Sequence, residues 1–206
     1  LIIGGGAGGL ELATRLGKQL GRKNRAQITL IDRNSTHIWK PLLHEVATGT
    51  LDVDIDQVTY RAHASSHYFE FQLGTLIGLD RESREVILAP LTDEAGEEVL
   101  SERRIGYDYL VLAIGSISNH FNTPGIQENC IFLDSPEQAK RFHRRLLEAY
   151  IKLNSPKHPK ENLNIAIVGA GATGVELSAE LHHAARELNQ YGFTEMRRDR
   201  LKITVV

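Results

Sequence analysis

Two short glycine-rich segments constrain the fold of this chain more than any other feature. The first reads GGGAGG over residues 4–9, and the second reads GAGATG over residues 169–174. Each follows an apolar run and precedes a stretch with apolar residues at helical spacing, so each predicts a strand, a tight turn and a helix. In such a turn the first glycine allows the bend, the second lets a pyrophosphate approach the backbone, and the third lets the helix pack closely on the strand.

The separation of the two segments indicates two sites rather than one. They begin about 165 residues apart, whereas one βαβ unit takes roughly 30 residues. We therefore predict an α/β fold with two Rossmann-like dinucleotide-binding domains, and a boundary in the polar, proline-bearing stretch 154–162. Residues 1–160 are assigned to the first domain and residues 161–206 to a truncated second domain.

Both ends of the sequence resemble interrupted strands. Residues 1–3 look like the tail of a buried strand, and residues 201–206 look like a strand with nothing after it. The hypothesis is that the chain is a fragment of a longer protein.

Between the two motifs, the pattern predicts a small antiparallel β insertion and several other elements. A continuous apolar run predicts a fully buried strand, and a serine, proline and glutamine in capping positions predict a helix start. The predicted strands are 27–31, 69–73, 85–88, 99–105 and the buried run 109–114, with a turn at 93–96, a helix within 55–65 and the capped helix start at 135–138.

Composition excludes several classes of protein. The 24 basic and 26 acidic residues give a net charge of −2, which does not favour nucleic-acid binding. No apolar run approaches the roughly 18–20 residues of a membrane-spanning helix. The single cysteine, Cys130, excludes an intrachain disulfide and is interpreted as a small buried apolar residue. His63 and His67 have a metal-ligand spacing but lack a third ligand, so no metal is expected.

Two dinucleotides in one chain are typical of a fixed flavin and a diffusible nicotinamide. The nicotinamide can pass a hydride to the flavin, and a second acceptor then reoxidises it. Asp32 ends the predicted second strand, where a carboxylate can accept hydrogen bonds from a ribose 2′-hydroxyl. These residues predict a flavin at one motif and a nicotinamide at the other, and leave the final acceptor open.

Three segments carry a resemblance to a known family. They read WKPLLHEVATG from Trp39, FNTPGIQENCIFLDSPEQA from Phe121 and NIAIVGAGATGVELSAEL from Asn164. In these segments the chain resembles the type II NADH:quinone oxidoreductases of bacterial respiration. That family belongs to the two-dinucleotide-domain flavoprotein reductases, which share the glutathione reductase fold. The family's strand ending in A-T-G reads LVLAIG here, with Ile114 in place of threonine. The cysteine pairs of the disulfide and thioredoxin reductase branches are absent from their expected positions.

The resemblance implies an enzyme that passes electrons from NADH through FAD to a membrane quinone without pumping protons. It implies a peripheral enzyme on the cytoplasmic side of the bacterial inner membrane, whose quinone-site motif and membrane-docking helices lie in a second half, and it leaves a homodimer open. Two alternatives remain. One is a reductase of a small redox protein such as ferredoxin or rubredoxin, and the other is a non-enzymatic redox sensor on the same fold.

The candidate site residues follow from the motifs and the resemblance. Glu176 is the candidate catalytic residue, because the matching glutamate of the family faces the nicotinamide and flavin; its structural interpretation is a first-turn carboxylate. Glu11 takes the same place after the first motif, His44 is a secondary candidate, and Trp39 is predicted to lie in the core. The FAD candidates are Gly4, Gly6, Ala7, Gly8, Gly9, Asp32, Arg33, Pro41, Leu42, Ala113 and Gly115, and the NADH candidates are Gly169, Gly171, Ala172, Thr173, Gly174 and Glu176.

Overall fold

The structure is a computed structural model that describes residues 1–37, 39–52, 57–155, 162–193 and 200–206. The strands are β1 (Ile2–Ile3), β2 (Thr29–Asp32), β3 (Thr36–His37), β4 (Val58–Thr59), β5 (Glu70–Leu73), β6 (Leu76–Asp80), β7 (Glu85–Leu88), β8 (Leu91–Thr92), β9 (Glu98–Leu100), β10 (Arg103–Gly106), β11 (Val111–Leu112), β12 (Leu163–Ile167) and β13 (Leu201–Val205). The helices are α1 (Ala7–Gln19), α2 (Leu43–Thr48), α3 (Tyr60–His67), α4 (Ile126–Asn129), α5 (Pro136–Leu153) and α6 (Ala172–Gln190).

The chain forms two compact units, each built from two separate stretches of sequence. Unit 1 contains Leu1–Trp39 and Gln57–Ser116, and unit 2 contains Lys40–Asp56 and Ile117–Val206. The assignment of residues 1–160 and 161–206 to two cofactor domains stays a prediction, and residues 156–161 of its proposed boundary lie outside the described residues.

A four-stranded parallel sheet forms the centre of unit 1, in the order β11-β1-β2-β5. Helices α1 and α3 cover one face, where Ala13 and Ala64 pack against Leu30 and Phe71. Ile31, on the other face of the sheet, packs with residues of β7 in the antiparallel sheet β10-β7-β6. These features confirm the predicted α/β fold with a small antiparallel insertion.

The sequence predicted that the apolar run 109–114 is a fully buried strand, and this prediction is wrong. Only β11 is strand within it, and this strand lies at the edge of the parallel sheet, next to β1. Tyr109 is 86% exposed and Ile114 is 70% exposed. An apolar run indicates that a strand can be buried on both faces. Whether it is buried depends on the elements that pack against it in the fold.

The antiparallel region holds more strands than the sequence predicted. Strand β6 was not predicted, and the predicted strand 99–105 is divided between β9 and β10. The turn at 93–96 joins β8 to β9, and the Asp93 carboxylate accepts hydrogen bonds from the backbone N–H groups of Ala95 and Glu97. Side-chain bonds of this kind are why aspartate favours turns.

Unit 2 repeats the strand–turn–helix–strand arrangement of the first motif. Parallel strands β12 and β13 pair in register from Leu163 with Leu201 to Ile167 with Val205, and α6 connects them through the chain. The predicted start of α5 is confirmed, because the Ser135 hydroxyl accepts from the Gln138 N–H. None of the helices in the described part of the chain is both long and apolar enough to cross a lipid bilayer.

The segment after β3 contains a helix that was not predicted from the sequence. Helix α2 packs against both α5 and α6 of its unit and buries Leu43, Val46 and Ala47. Its last residue is Thr48, and the C-cap residue that follows, Gly49, has a φ of +88°. Trp39 is 52% exposed, so its predicted place in the core is wrong.

Candidate dinucleotide-binding sites

The first glycine segment forms the turn between β1 and α1. Gly4 has a φ of +101°, which L side chains rarely adopt. A Cβ on Gly9 would collide with the Gly4 carbonyl, so a side chain there would push the helix away from the strand. A Cβ on Gly6 or Gly8 would meet open space. The turn therefore combines the tight bend, the open approach and the close helix packing that a dinucleotide site requires.

The start of α1 offers backbone donors to a negatively charged group. The Leu10 N–H donates to the Gly6 carbonyl at 2.9 Å, and this bond begins the helical ladder. The N–H groups of Ala7, Gly8 and Gly9 precede that bond, and helix geometry leaves such groups without a partner within the helix. Together with the helix dipole, they favour a diphosphate at this end.

Asp32 ends β2 beside the glycine turn, as predicted, and also binds the turn itself. Its Oδ2 accepts from the Gly5 N–H at 2.6 Å and its Oδ1 accepts from the Asn34 N–H at 2.8 Å. An ionised carboxylate has about four acceptor positions, so two bonds leave capacity for a ribose hydroxyl. Arg33 is the exposed residue that follows.

Ala113 lies against the same turn, which supports its selection from the sequence. Its N–H donates to the Ile3 carbonyl at 2.7 Å, and a Cβ on Gly4 would collide with the Ala113 carbonyl. Gly115 follows two residues later with a φ of +70°. The close approach is thus between the Ala113 backbone and Gly4, and it requires the glycine at position 4.

The second glycine segment repeats this geometry in unit 2. Gly169 has a φ of +113°, and a Cβ on Gly174 would collide with the Gly169 carbonyl. A Cβ on Gly171 would meet open space. Ala172 and Thr173 are exposed in the first turn of α6, where their N–H groups are placed as Ala7 and Gly8 are in α1.

Glu176 is the fifth residue of α6, so its structural interpretation as a first-turn carboxylate is wrong. Its half-exposed side chain faces His44, whose Nδ1 lies 3.7 Å from the Glu176 Oε2. His44 is 7% exposed, and within the described residues its Nδ1 has no hydrogen-bond partner. Glu11, at the matching place in α1, instead pairs with Arg15 at 2.6 Å. The two helices are alike in backbone and differ in what their glutamates face.

Three other residues lie in unit 2. Pro41 is exposed and Leu42 is half-buried, in a short 3₁₀ turn just before α2. Their contact with a flavin stays a prediction. Cys130 is exposed at the end of α4, so its interpretation as a buried residue is wrong. The redox disulfide of related branches needs two cysteines, and this chain has one.

The histidines His63 and His67 have structural contacts. Their rings stack with centroids 4.0 Å apart, and the His63 Nε2 lies 2.8 Å from the Thr14 hydroxyl. Burial lowers the pKa of His63, and the neighbouring His67 and Lys18 lower it further. In the part of the chain that the structure describes, no three histidine, cysteine or acidic side chains are placed to share a metal ion.

Sequence reasoning missed the contacts that surround Gly5. The Tyr60 hydroxyl donates to the Gly5 carbonyl at 2.6 Å, and the His37 Nδ1 lies 3.4 Å from the same hydroxyl. Burial lowers the pKa of His37, against the opposing effects of the Gly5 carbonyl and Asp32. The only signal in the sequence was an extra glycine at position 5, where the dinucleotide motif does not require one.

Comparison with known proteins agrees with this geometry. The family model described as pyridine nucleotide-disulphide oxidoreductase matches residues 1–205. A type II NADH:quinone oxidoreductase from Haemophilus influenzae is 51% identical, over 100% of this chain and 50% of the relative. A mitochondrial external alternative NAD(P)H-ubiquinone oxidoreductase B1 from Solanum tuberosum is 33% identical, over 87% of this chain and 32% of the relative.

A solved structure shows the same fold. NDH2 from Plasmodium falciparum matches with a TM-score of 0.79 at 23% identity, over 100% of this chain and 40% of that chain. The chain spans half or less of the length of these relatives. Because the family model covers nearly every residue and both glycine turns have the required geometry, the chain belongs to the pyridine nucleotide-disulphide oxidoreductase family.

Proposed function

We propose that this chain is the cofactor-binding front part of an NADH:quinone oxidoreductase. The observation that carries the proposal is the 51% identity, over the whole chain, to the type II NADH:quinone oxidoreductase of Haemophilus influenzae. The two glycine turns support it, because a hydride carrier and a fixed acceptor each need a dinucleotide site. The net reaction is NADH + H⁺ + quinone → NAD⁺ + quinol, and we expect no coupled proton pumping.

The residues of unit 1 fit the adenosine diphosphate half of FAD. Open space beside Gly6 and Gly8 would admit the diphosphate to the start of α1, and the Asp32 carboxylate would accept from the ribose. When bound, FAD would accept the hydride from NADH and pass two electrons on to the quinone. We assign residues 1–160 to the FAD domain and residues 161–206 to the beginning of the NAD(H) domain.

The residues of α6 fit NADH at the second turn. The helix start would receive the diphosphate beside Gly171, and Glu176 lies one helical turn further along. We propose that Glu176 acts near the reacting nicotinamide and that His44, 3.7 Å away, sets the direction of its carboxylate. An attraction between the two would operate when His44 is protonated.

The electron acceptor is tested by steady-state assays on the full-length protein. We expect rapid oxidation of NADH with a short-chain quinone, and negligible rates with ferredoxin or rubredoxin as the acceptor. Faster turnover with either small protein would identify a redox-protein reductase instead. Absence of NADH oxidation with every acceptor, in protein that holds FAD, would indicate a sensor.

The proposed acceptor also supports attachment of the protein to a membrane. Quinones of respiratory chains are dissolved in the bilayer, so we propose a peripheral enzyme on the cytoplasmic side of a bacterial inner membrane. High salt or alkaline carbonate should release the full-length protein from isolated membranes without detergent. A requirement for detergent would contradict peripheral attachment, and sedimentation of the released protein would show whether it is a homodimer.

A further inference from the structure

We propose that Tyr60 is a positioning residue for the diphosphate at the first glycine turn, acting through the peptide group of Gly5. This inference rests on the proposed binding of FAD at that turn. The dinucleotide motif accounts for Gly4, Gly6, Gly9 and Asp32, whereas it places no requirement on Gly5 and does not include Tyr60.

Both polar groups of Gly5 are held by buried or half-buried side chains. Its N–H donates to the Asp32 Oδ2 and its carbonyl accepts from the Tyr60 hydroxyl, each at 2.6 Å. Gly5 itself is buried, while Gly6 beside it is exposed. The turn is thus fixed at one residue and open at the next, which is the residue that a diphosphate would approach.

Tyr60 is in turn held by its surroundings. It is the first residue of α3, it is 2% exposed, and its N–H donates to the Ser35 carbonyl at 3.1 Å. Its ring stacks on Phe71 with centroids 5.0 Å apart. Burial, and then the charge of Asp32, raise the pKa of Tyr60, so the hydroxyl stays neutral and keeps its proton for the Gly5 carbonyl.

This arrangement matters because glycine loses more conformational freedom on ordering than any other residue. Three consecutive glycines, Gly4 to Gly6, would otherwise allow the peptide groups of the turn to rotate. Rotation of the Gly5 peptide would redirect the chain that leads into Ala7 and Gly8, whose N–H groups face the diphosphate site. Fixing the turn before the ligand arrives reduces the ordering cost of binding.

Gly5 and Tyr60 also fit each other in shape. A Cβ on Gly5 would collide with the Tyr60 ring and hydroxyl. A phenylalanine at position 60 would keep the ring and its stacking on Phe71. It would remove the hydrogen bond to the Gly5 carbonyl, together with the longer 3.4 Å contact between the hydroxyl and the His37 Nδ1. The substitution therefore separates the positioning role from the packing role.

The chain offers a matched control in Tyr150. This tyrosine is 1% exposed in unit 2, burial raises its pKa to about 12, and within the described residues its hydroxyl has no hydrogen-bond partner. Tyr150→Phe therefore removes the same atom from an equally buried ring without removing a hydrogen bond.

The test measures the Kd of FAD for the full-length apoprotein by flavin fluorescence, well below the unfolding temperature. We expect Tyr60→Phe to weaken FAD binding about 3- to 10-fold, the value of one neutral hydrogen bond, and Tyr150→Phe to leave it unchanged. Unchanged binding in Tyr60→Phe, or equal weakening in both variants, overturns the inference and leaves the proposed function intact. A wild-type protein that binds no FAD overturns the proposed function itself.

Hydrogen exchange on the wild-type apoprotein gives a second readout that needs no variant. If the turn is fixed before FAD arrives, the Gly5 N–H should exchange slowly in the apoprotein and change little on FAD binding. The N–H groups of Ala7 and Gly8 should exchange quickly and become protected by FAD. Rapid exchange at Gly5 in the apoprotein would show that the ligand orders the turn, against the inference.

Discussion

Asp32 illustrates how one side chain can serve both the fold and a ligand. Its carboxylate accepts from the Gly5 and Asn34 N–H groups, and we propose that it also accepts from a ribose hydroxyl of the cofactor. The sequence predicted the position from the end of an apolar strand, because strand ends in this fold face the ligand. It could not predict the bond to Gly5, which depends on the side-chain orientation in the folded turn.

Replacing the Asp32 carboxylate should weaken the binding of FAD. Asp32→Ala removes charge-assisted hydrogen bonds worth about 1.5–3 kcal/mol, which corresponds to about a 10- to 150-fold increase in the Kd of FAD. The FAD content of the purified full-length variant and a fluorescence titration measure the effect. A full complement of tightly held FAD would show that Asp32 has been misassigned.

Glu176 is predicted to serve catalysis rather than FAD binding. Glu176→Gln keeps the shape of the side chain and removes the charge that faces His44, so we expect normal FAD content and a lower kcat in NADH oxidation. Glu180→Gln is the matched control, because it makes the same change one turn further along α6, where the carboxylate accepts from the Thr50 hydroxyl at 3.4 Å. Equal kinetics in wild type and Glu176→Gln at saturating NADH and quinone would contradict the catalytic role.

The lone cysteine should have no part in electron transfer. Cys130 is exposed at the end of α4, so thiol reagents can reach it. We expect Cys130→Ser, and wild-type protein alkylated at this position, to retain most NADH:quinone activity. Complete loss of activity in Cys130→Ser, with FAD and fold intact, would show that the thiol takes part in the reaction.

At the scale of elements, the sequence predicted the long helices well and α2 poorly. Helices α1, α5 and α6 have apolar residues at helical spacing, and Ser135 marks the start of α5. Helix α2 has six residues and follows a proline, so it is too short to show an apolar periodicity in the sequence. Its burial depends on α5 and α6, which lie about 90 and 125 residues further along the chain and cannot be inferred from local pattern.

The end of α2 should be sensitive to a single methyl group. Gly49 has a φ of +88°, and a Cβ there would collide with the His143 ring, whereas Gly96 has a φ of +84° and open space around it. Both alanine variants incur about 1–2 kcal/mol of left-handed backbone strain, and Gly49→Ala adds the collision. We expect Gly49→Ala to lower the free energy of unfolding more than Gly96→Ala does in urea titrations.

A double variant separates the two costs at Gly49. His143→Ala removes the ring that the new methyl group would meet, so the extra loss caused by Gly49→Ala should be smaller in that background. An equal loss with and without the His143 ring would show that backbone strain alone accounts for the effect.

At the scale of the whole molecule, the repeated motif provides an internal alignment. The Gly4 N–H donates to the Ile31 carbonyl, and the Gly169 N–H donates to the Val206 carbonyl, both at 2.8 Å. Val206 is therefore the counterpart of Ile31, and the counterpart of Asp32 is the residue directly after Val206 in a longer form of the chain. The sequence alone could not show this correspondence, because it does not reveal the hydrogen-bond register.

We predict that the residue after Val206 in the full-length protein is acidic, and we expect glutamate rather than aspartate. A carboxylate there would accept from the ribose 2′-hydroxyl of NADH and repel the 2′-phosphate of NADPH. The ratio of kcat/KM for the two nucleotides measures this preference, which should favour NADH by orders of magnitude. An arginine or serine at that position, or similar rates with NADPH, would overturn the prediction.

The interleaving of the two units has a consequence for how the chain emerges from the ribosome. Helix α2 belongs to unit 2, but the residues that follow it complete unit 1, and its partner α6 is made much later. At a synthesis rate of about 5–20 residues per second, the roughly 120 residues between α2 and α6 take on the order of 6–25 s to appear. During that interval Leu43, Val46 and Ala47 have no α6 to cover them, so the nascent chain presents an apolar segment that a chaperone can bind.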